Sequence, residues 1–423
     1  MVFRRWSEYR DVLLICKKGS PPKEHHVKFA LVKKDLRRIT KKDVEYIRNQ
    51  LENNDDFRSS ELDIESFSMS ELLERFANLM WFCGVTDFQH RDKLVSFTRR
   101  FSKVLLPPPA NCFKEGYRPV PKGVSSFMFI TRALDPCRTE EAFLFFDSAN
   151  ETNESVKAQS LLQIDYKIEK NALLPSLRTG IGINTLDITK KLDYIAKGPY
   201  KEFGTVLKAS GFKKPKHFNW VKYWLHVKQE LSGVKTKFVT VHRINPYSPN
   251  TNLIAFFSEE PFFASNVLNI VKEDDEETAK AFCALMNSII FLAQFFLLKE
   301  ETTGRYINIR FYDFYEMSIF PERTKIKALA TVFDAFAHEQ FPSLREQLDK
   351  DFDARYDAFW LETKKKQKTL FSVAGKVSPS EIRADFDIAI CNALGISITK
   401  EELLDLYKVL VQEMIVTRGL TRD

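Results

Sequence analysis

The sequence predicts a mixed α+β chain, with a short β segment near the N-terminus and helices at the C-terminus. Three observations carry this. Between residues 116 and 320, short strand-like runs alternate with helical stretches. Beyond residue 321, KIKALATVFDAFAHEQF and ELLDLYKVLVQEMIVTR place apolar residues at helical spacing. Near the start, Tyr9–Lys17 (YRDVLLICK) is apolar in its middle and charged at its ends, as a buried strand is. At 423 residues the chain is long enough for two or three domains with their own cores. It divides by composition into 1–60, 61–115, 116–320 and 321–423.

In chain order, Lys28–Lys33 reads as a second short strand. Thr40-Lys41-Lys42-Asp43 has the form of a capping box, opening a helix that runs to about Leu51. LDIESF (62–67) is strand-like. Ser68, with Glu71 three residues on, opens a helix whose apolar face is Leu72, Leu73, Phe76, Leu79 and Met80. Asp92–Leu105 reads as the next helix, stopped by Pro107-Pro108-Pro109. Within 116–320, Ala142–Asp147, Leu161–Ile168, Phe238–Arg243 and Leu253–Phe257 read as strands. Helical stretches lie near 187–197, 201–210 and 219–231. Ala281–Leu298 is about 18 residues long, the lower edge of membrane-spanning length. It contains Asn287, Ser288 and Gln294 and follows Glu-rich sequence, so it reads as a buried helix of a soluble domain. In the last region KKKQK (364–368) interrupts the helical pattern. There is no internal repeat and no low-complexity tract.

Lys+Arg total 64 against Asp+Glu 57, a net charge of +7. That mild excess fits a nucleic-acid partner without demanding one. Its placement says more. Between Thr205 and Lys228 lie Lys208, Lys213, Lys214, Lys216, Lys222 and Lys228, with His217 and His226 and no acid. Cys16, Cys83, Cys112, Cys137, Cys283 and Cys391 form no CxxC pair and no zinc spacing with His, and read as reduced buried thiols. No metal site is expected. MVFRRWSEYR lacks the apolar core of a signal peptide, and a cytoplasmic location is expected.

Several segments carry side chains suited to DNA. FKKPKHFNWVKYW (212–224) interleaves lysines, which neutralise phosphates, with aromatics; it reads equally as a solvated helix with an apolar underside. Arg243, Asn245, Asn250 and Asn252 bring the guanidinium and amide groups that read guanine and adenine edges. The same Asn and Pro residues also suit turn geometry. Chemistry is harder to place. No strand–GxG–helix is present, GIG at 180–182 being preceded by a loop. Asn245-Pro246-Tyr247 lacks the second proline of an adenine-methylating loop. Asp147, Asp165 and Lys167 allow a metal-dependent nuclease, or simply the outward charges of half-exposed strands.

RINPYSPNTNLIAFFSEEPFFASN (243–266), followed by ETAKAFCALMNSIIFLAQFFLLKEETTGRYINIRFYDFYEMSIFP (277–321), resembles the target-recognition region of adenine-N6 DNA methyltransferases of restriction-modification systems, of the Type II or IIG kind. The matching steps are Met286-Asn287-Ser288, the turn at Gly304, and Asp313 through Pro321. GYRPVPKGVSSFMFITRAL (116–134), LLPSLRTG (173–180) and ADFDIAICNALGI (384–396) resemble other parts of the same enzymes. FRRWSEYRDVLLICKKG (3–19) resembles the closing strands of their methylase domain.

The resemblance implies a target-recognition-type domain at 116–320, a methylase-edge remnant at 1–60, a helical connector at 61–115 and a helical region at 321–423. It implies a function in sequence-specific binding of double-stranded DNA, presented to a catalytic methylase carried elsewhere. S-adenosylmethionine would bind that partner and not this chain, and no residue here is expected to be catalytic. The DNA-binding candidates are Arg178, Lys213, Lys214, Lys216, Lys222, Arg243, Asn250, Asn252, Arg305 and Arg310. Tyr9–Lys17 would be an unfinished sheet edge, completed by that partner or by self-association, unless it pairs within its own chain. The alternative is a scaffold protein that retains the fold without reading DNA.

Overall fold

The computed structural model describes residues 26–33, 39–68, 70–72, 85–115, 145–151, 155–160, 165–209, 219–232, 235–265, 267–298, 300–301, 306–308, 311–366 and 376–420. The fold is α+β. The expected strand Tyr9–Lys17 and the segment 116–134 lie outside the described residues.

The N-terminal segment forms a small sheet ordered β1-β3-β2. Strand β1 (His26–Val32) runs antiparallel to β3 (Leu62–Ser68), with Val27 opposite Phe67, and β2 (Phe57–Arg58) flanks β3. Helix α1 (Lys41–Asn53) begins where the capping box places it: the Thr40 hydroxyl accepts from the Asp43 N–H, and the Asp43 carboxylate accepts from the Thr40 N–H at 2.8 Å. Ser68 and Glu71 close a second such box, though residues 73–84 are not described. Strand β3 carries acids inward, which is tolerated because each has a cation. Lys33 lies 2.6 Å from Asp63, and Arg91 pairs with Glu65.

Helix α2 (Phe88–Arg99) begins earlier than the sequence suggests and ends earlier. Asp87 caps it by accepting the Gln89 N–H at 2.7 Å. Residues 101–104 turn away, because Leu105 and Leu106 form strand β4 (Leu105–Leu106) against β17 (Phe320–Pro321).

The main sheet has the order β5 (Phe113–Glu115), β14 (Leu268–Val271), β11 (Lys235–Val241), β13 (Ala255–Ala264), β9 (Leu173–Leu177), β10 (Asp193–Ala196), β6 (Phe145–Glu151), β7 (Ser155–Ser160) and β8 (Asp165–Glu169). Its pairings are antiparallel except β13 on β9, where Phe263 faces Ser176. The helix expected near 187–197 is absent. A 3-10 turn at Thr189–Lys191 precedes strand β10, which pairs with both β9 and β6. Asp187 sets that turn by accepting from the Thr189 N–H and hydroxyl at 2.7 and 2.6 Å. Helices α3 (Phe203–Ala209) and α4 (Trp220–Ser232) agree with the sequence pattern.

Ala281–Leu298 is not one helix. Helices α5 (Glu276–Met286) and α6 (Ile289–Leu298) meet at a bend of 62°. Asn287 makes the break. Its side-chain oxygen accepts from the Ile254 and Ala255 N–H groups at 2.7 and 3.3 Å, and its amide donates to the Ala255 and Cys283 carbonyls at 2.9 and 3.0 Å. Gln294 is likewise satisfied, accepting from the Ser318 N–H at 2.7 Å and donating to its carbonyl at 3.0 Å. Residues 281–298 are buried throughout. Among the described residues no single helix is long and apolar enough to cross a membrane; this bent pair meets the test by length and composition only.

The short strands β12 (Arg243–Ile244), β15 (Glu300–Glu301) and β16 (Ile307–Asn308) make a separate ribbon, and α7 (Phe311–Phe314) follows it. The C-terminal region is helical: α8 (Arg323–Phe336), α9 (Leu344–Leu348), α10 (Phe352–Lys366), α11 (Glu381–Ala393) and α12 (Lys400–Leu420). Aromatic contacts weld it to the sheet. Phe333 of α8 meets Phe257 of β13 edge-on at 5.5 Å, and Phe336 meets Phe386 of α11 at 5.2 Å. One hydrophobic core runs through the main sheet, the bent helix pair and these helices.

Candidate nucleic-acid interface

Two loops and one ribbon strand adjoin beside strands β11 and β13. The first loop, 178–184, leaves β9 at Arg178, which is half-buried and whose carbonyl accepts from the Ser265 hydroxyl. Gly180 is required by space: a Cβ there would lie 2.6 Å from the Phe256 ring and 2.8 Å from Val241. Gly182 has φ +79, a left-handed conformation that glycine adopts without strain. Its N–H donates to the Asn250 carbonyl at 2.7 Å, joining the first loop to the second. Ile181, between the glycines, is 62% exposed.

The second loop, 245–252, is built from side-chain turns. The Asn245 side chain accepts from the Tyr247 N–H at 3.1 Å, and the Ser248 hydroxyl accepts from the Asn250 N–H at 3.2 Å. This geometry fixes the backbone while leaving Asn250 exposed. Asn245-Pro246-Tyr247 is therefore a turn with a buried tyrosine. Just before it, Arg243 lies opposite Asn308 in the ribbon and is exposed, its guanidinium 5.0 Å above the Tyr306 ring. The ribbon strand also sits between Arg305 and Arg310 in sequence, which both lie outside the described residues.

Arg178, Arg243 and Asn250 thus come from segments that the fold brings together. Asn252 belongs to the scaffold. Its amide donates to the Phe341 carbonyl at 3.0 Å, and its carbonyl accepts from the Gln347 amide at 2.6 Å. A network of buried polar groups continues from there. Arg383 donates to the Asn287 carbonyl at 2.7 Å and grips Asp387 with two bonds of 2.8 and 2.7 Å. Asp387 also accepts from the Ile289 N–H at 2.8 Å and the Tyr407 hydroxyl at 2.7 Å. Burial pushes the Asp387 carboxyl up, and Arg383 and these donors oppose that.

The basic segment divides. Lys213, Lys214 and Lys216 lie outside the described residues. Lys222 is exposed in the first turn of α4, where the Asn219 side chain accepts from the Val221 and Lys222 N–H groups at 2.9 and 3.2 Å. The aromatics beside it face inward. Trp220 and Trp224 pack edge-on against Phe203 at 4.9 and 5.2 Å, and Tyr223 against both tryptophans. They are the apolar underside of α4, so among the described residues the start of that helix offers Lys222 rather than a stacking platform. Its outer face also shows Val221 and Leu225, 70% and 55% exposed. At the far end of α4, Lys228 and Lys197 flank an open groove of about 620 Å³ floored by Leu174, Leu231 and Phe263.

The nuclease candidates lie on β6 and β8. Asp147 and Asp165 both register with Gln159, from opposite sides of β7. Two strand spacings put their backbones about 10 Å apart. Among the described residues no group of three His, Cys, Asp or Glu could hold a metal. Cys112, Cys283 and Cys391 are free and buried, and burial pushes the Cys112 and Cys391 thiols up to about 12.

Sequence reasoning missed residues 337–348, which meet both loops. The capping box Ser343–Glu346 that opens α9 was readable as S-x-x-E; its contacts to residues nearly a hundred positions away were not.

No protein-family model matches the sequence, and no curated protein matches it. Among solved structures, the type IIG restriction endonuclease BpuSI superposes with a TM-score of 0.42 at 11% identity, covering 92% of this chain and 40% of that one. This chain therefore spans less than half the length of that enzyme, and a likeness at this level carries no argument about activity.

Proposed function

We propose that this chain binds double-stranded DNA and reads its sequence, as the target-recognition part of an adenine-N6 DNA methyltransferase of a restriction-modification system. The observation that carries the reading is the meeting of segments 178–184 and 243–252, the latter paired through Arg243 with Asn308, which leaves Arg243 and Asn250 exposed and Arg178 half-buried. Arg and Asn are the side chains that read guanine and adenine edges with paired hydrogen bonds. Segments 243–252 and 306–308 lie within the stretches whose motifs resemble that family, and 178–184 overlaps a third. Lys222, with Lys213, Lys214 and Lys216 before it in sequence, supplies phosphate contacts in this reading. Arg305 and Arg310, on either side of the ribbon strand in sequence, join the base-reading set in this reading.

Methyl transfer belongs to a catalytic partner that carries S-adenosylmethionine and the base-flipping loop, because the sequence here has neither motif. The test is duplex binding by the full chain, followed by fluorescence anisotropy across a salt series. Affinity is expected to fall steeply between low and physiological salt as lysine–phosphate contacts release counterions. Absence of binding, or binding indifferent to salt, overturns the reading. A second reading, a scaffold that keeps the fold without reading DNA, is favoured by Val221 and Leu225. These are apolar and exposed beside Lys222, as at a protein contact. Under it, a protein partner is retained and duplex DNA is not.

A further inference from the structure

Residues 337–347 join the two loops into one unit. The Phe341 N–H donates to the Asn184 carbonyl at 2.8 Å, and the Phe341 carbonyl accepts from the Asn252 amide at 3.0 Å. The same residue thus touches the first loop and the second. The Leu344 N–H donates to the Thr251 carbonyl at 2.7 Å, and the Gln347 amide to the Asn252 carbonyl at 2.6 Å. Arg345 donates to the Tyr247 carbonyl at 3.1 Å and to the Asp353 carboxylate at 2.8 Å. Just before this segment, the Ala337 carbonyl accepts from the Asp187 N–H at 2.9 Å.

From this arrangement we infer that residues 341–347, and Arg345 above all, are positioning residues for DNA discrimination: they hold the loop 245–252 in the shape that aims Asn250 at a base. The inference rests on the DNA-reading function proposed above. Its physical basis is order. The loop has turns but no helix or strand of its own, so an untethered loop would lose backbone freedom on meeting DNA. That loss would subtract from the affinity for the matched sequence. The clamp removes the freedom in advance. It holds main-chain carbonyls of the loop and so leaves the Asn250 side chain available. Arg345 is the one charged donor in it. Asp353 and Arg418 fix its position: Arg418 donates to the same carboxylate at 3.2 Å and lies 5.9 Å over the Tyr247 ring.

The experiment is selection of the full chain against a random-sequence duplex pool, with wild type, Arg345→Ala, Arg345→Lys, Asn252→Ala and Lys222→Ala compared. Wild type is expected to enrich a defined sequence. Arg345→Ala is expected to bind the unselected pool with the wild-type salt slope. Its preference for the enriched duplex over a scrambled one should fall about tenfold, the scale of one hydrogen bond from a charged group. Arg345→Lys, which keeps a cationic donor, should recover most of that preference. Asn252→Ala removes the loop's own half of the clamp and should lose preference in the same way. Lys222→Ala should do the reverse, flattening the salt slope and leaving the enriched sequence unchanged. Full discrimination in both Arg345→Ala and Asn252→Ala overturns the inference. If wild type itself enriches no sequence, the DNA-reading function fails first and this inference falls with it.

Discussion

Asn287 and Asn250 are the same residue type, as are Arg383 and Arg243, yet the fold uses each pair in opposite ways. Asn287 is buried, and both ends of its amide are matched to backbone groups of β13 and α5. Arg383 is buried too, held by Asp387, the Asn287 carbonyl and Gln347. Asn250 and Arg243 stand exposed, with the loop backbone fixed beneath one and the Tyr306 ring beneath the other. A buried polar side chain must have all its partners inside the protein or it destabilises the fold. An exposed one keeps its hydrogen-bonding capacity for something else. The first pair therefore makes structure, and the second is available for recognition.

The largest expected effect breaks the buried side. Asp387→Ala leaves the Arg383 guanidinium without its counter-charge and frees the Ile289 N–H and Tyr407 hydroxyl. It should lower unfolding stability by about 3–5 kcal/mol in urea denaturation. A loss under about 1 kcal/mol would show that the network is not what fixes the bend between α5 and α6. Gly180→Ala probes the boundary between the two regions. The new methyl would press on Phe256 and Val241, both buried. About 1–3 kcal/mol of destabilisation is expected, together with weaker DNA discrimination as the first loop shifts. A neutral result would mean the first loop moves without consequence. The smallest effect on stability is expected on the exposed side. Arg243→Ala should stay within about 0.5 kcal/mol of wild type in the same denaturation. It should nevertheless cost about 1–3 kcal/mol of preference for the enriched duplex. The comparison is undone if Arg243→Ala unfolds the protein, or leaves recognition untouched.

Much of the fold was legible because its causes are local. The capping box at Thr40–Asp43 sets the start of α1 whatever surrounds it. The strand pattern of LDIESF and the helical spacing of 219–231 and 402–418 each state their own period. Of the candidate site, the sequence supplied residue types and their turns: Arg178 within LLPSLRTG, and Arg243 and Asn250 around an Asn- and Pro-rich turn. It did not separate Asn250 from Asn252, which differ by two positions. That division depends on Phe341 and Gln347, 89 and 95 residues away. The helix expected near 187–197 failed for a related reason. A strand with partners on both sides outweighs a weak local preference, and Asp187 turns the chain before it.

The sequence by itself determined the class of the fold, the starts of some helices such as α1, the buried character of residues 281–298 and the candidate side chains for DNA. Each follows from propensity, period or chemistry within a few residues. Only the tertiary structure decided that 281–298 bends at Asn287. The stabilising donors and acceptors there come from Ile254 and from Ala255 at the start of β13, 33 and 32 residues earlier, and from Asp387, 98 residues beyond Ile289. Likewise only the assembled chain placed 178–184, 243–252 and 306–308 side by side and tied the first two to residues 337–347. Hydrogen bonds between distant segments depend on which elements pack together, and that is set by the whole core rather than by any one stretch of sequence.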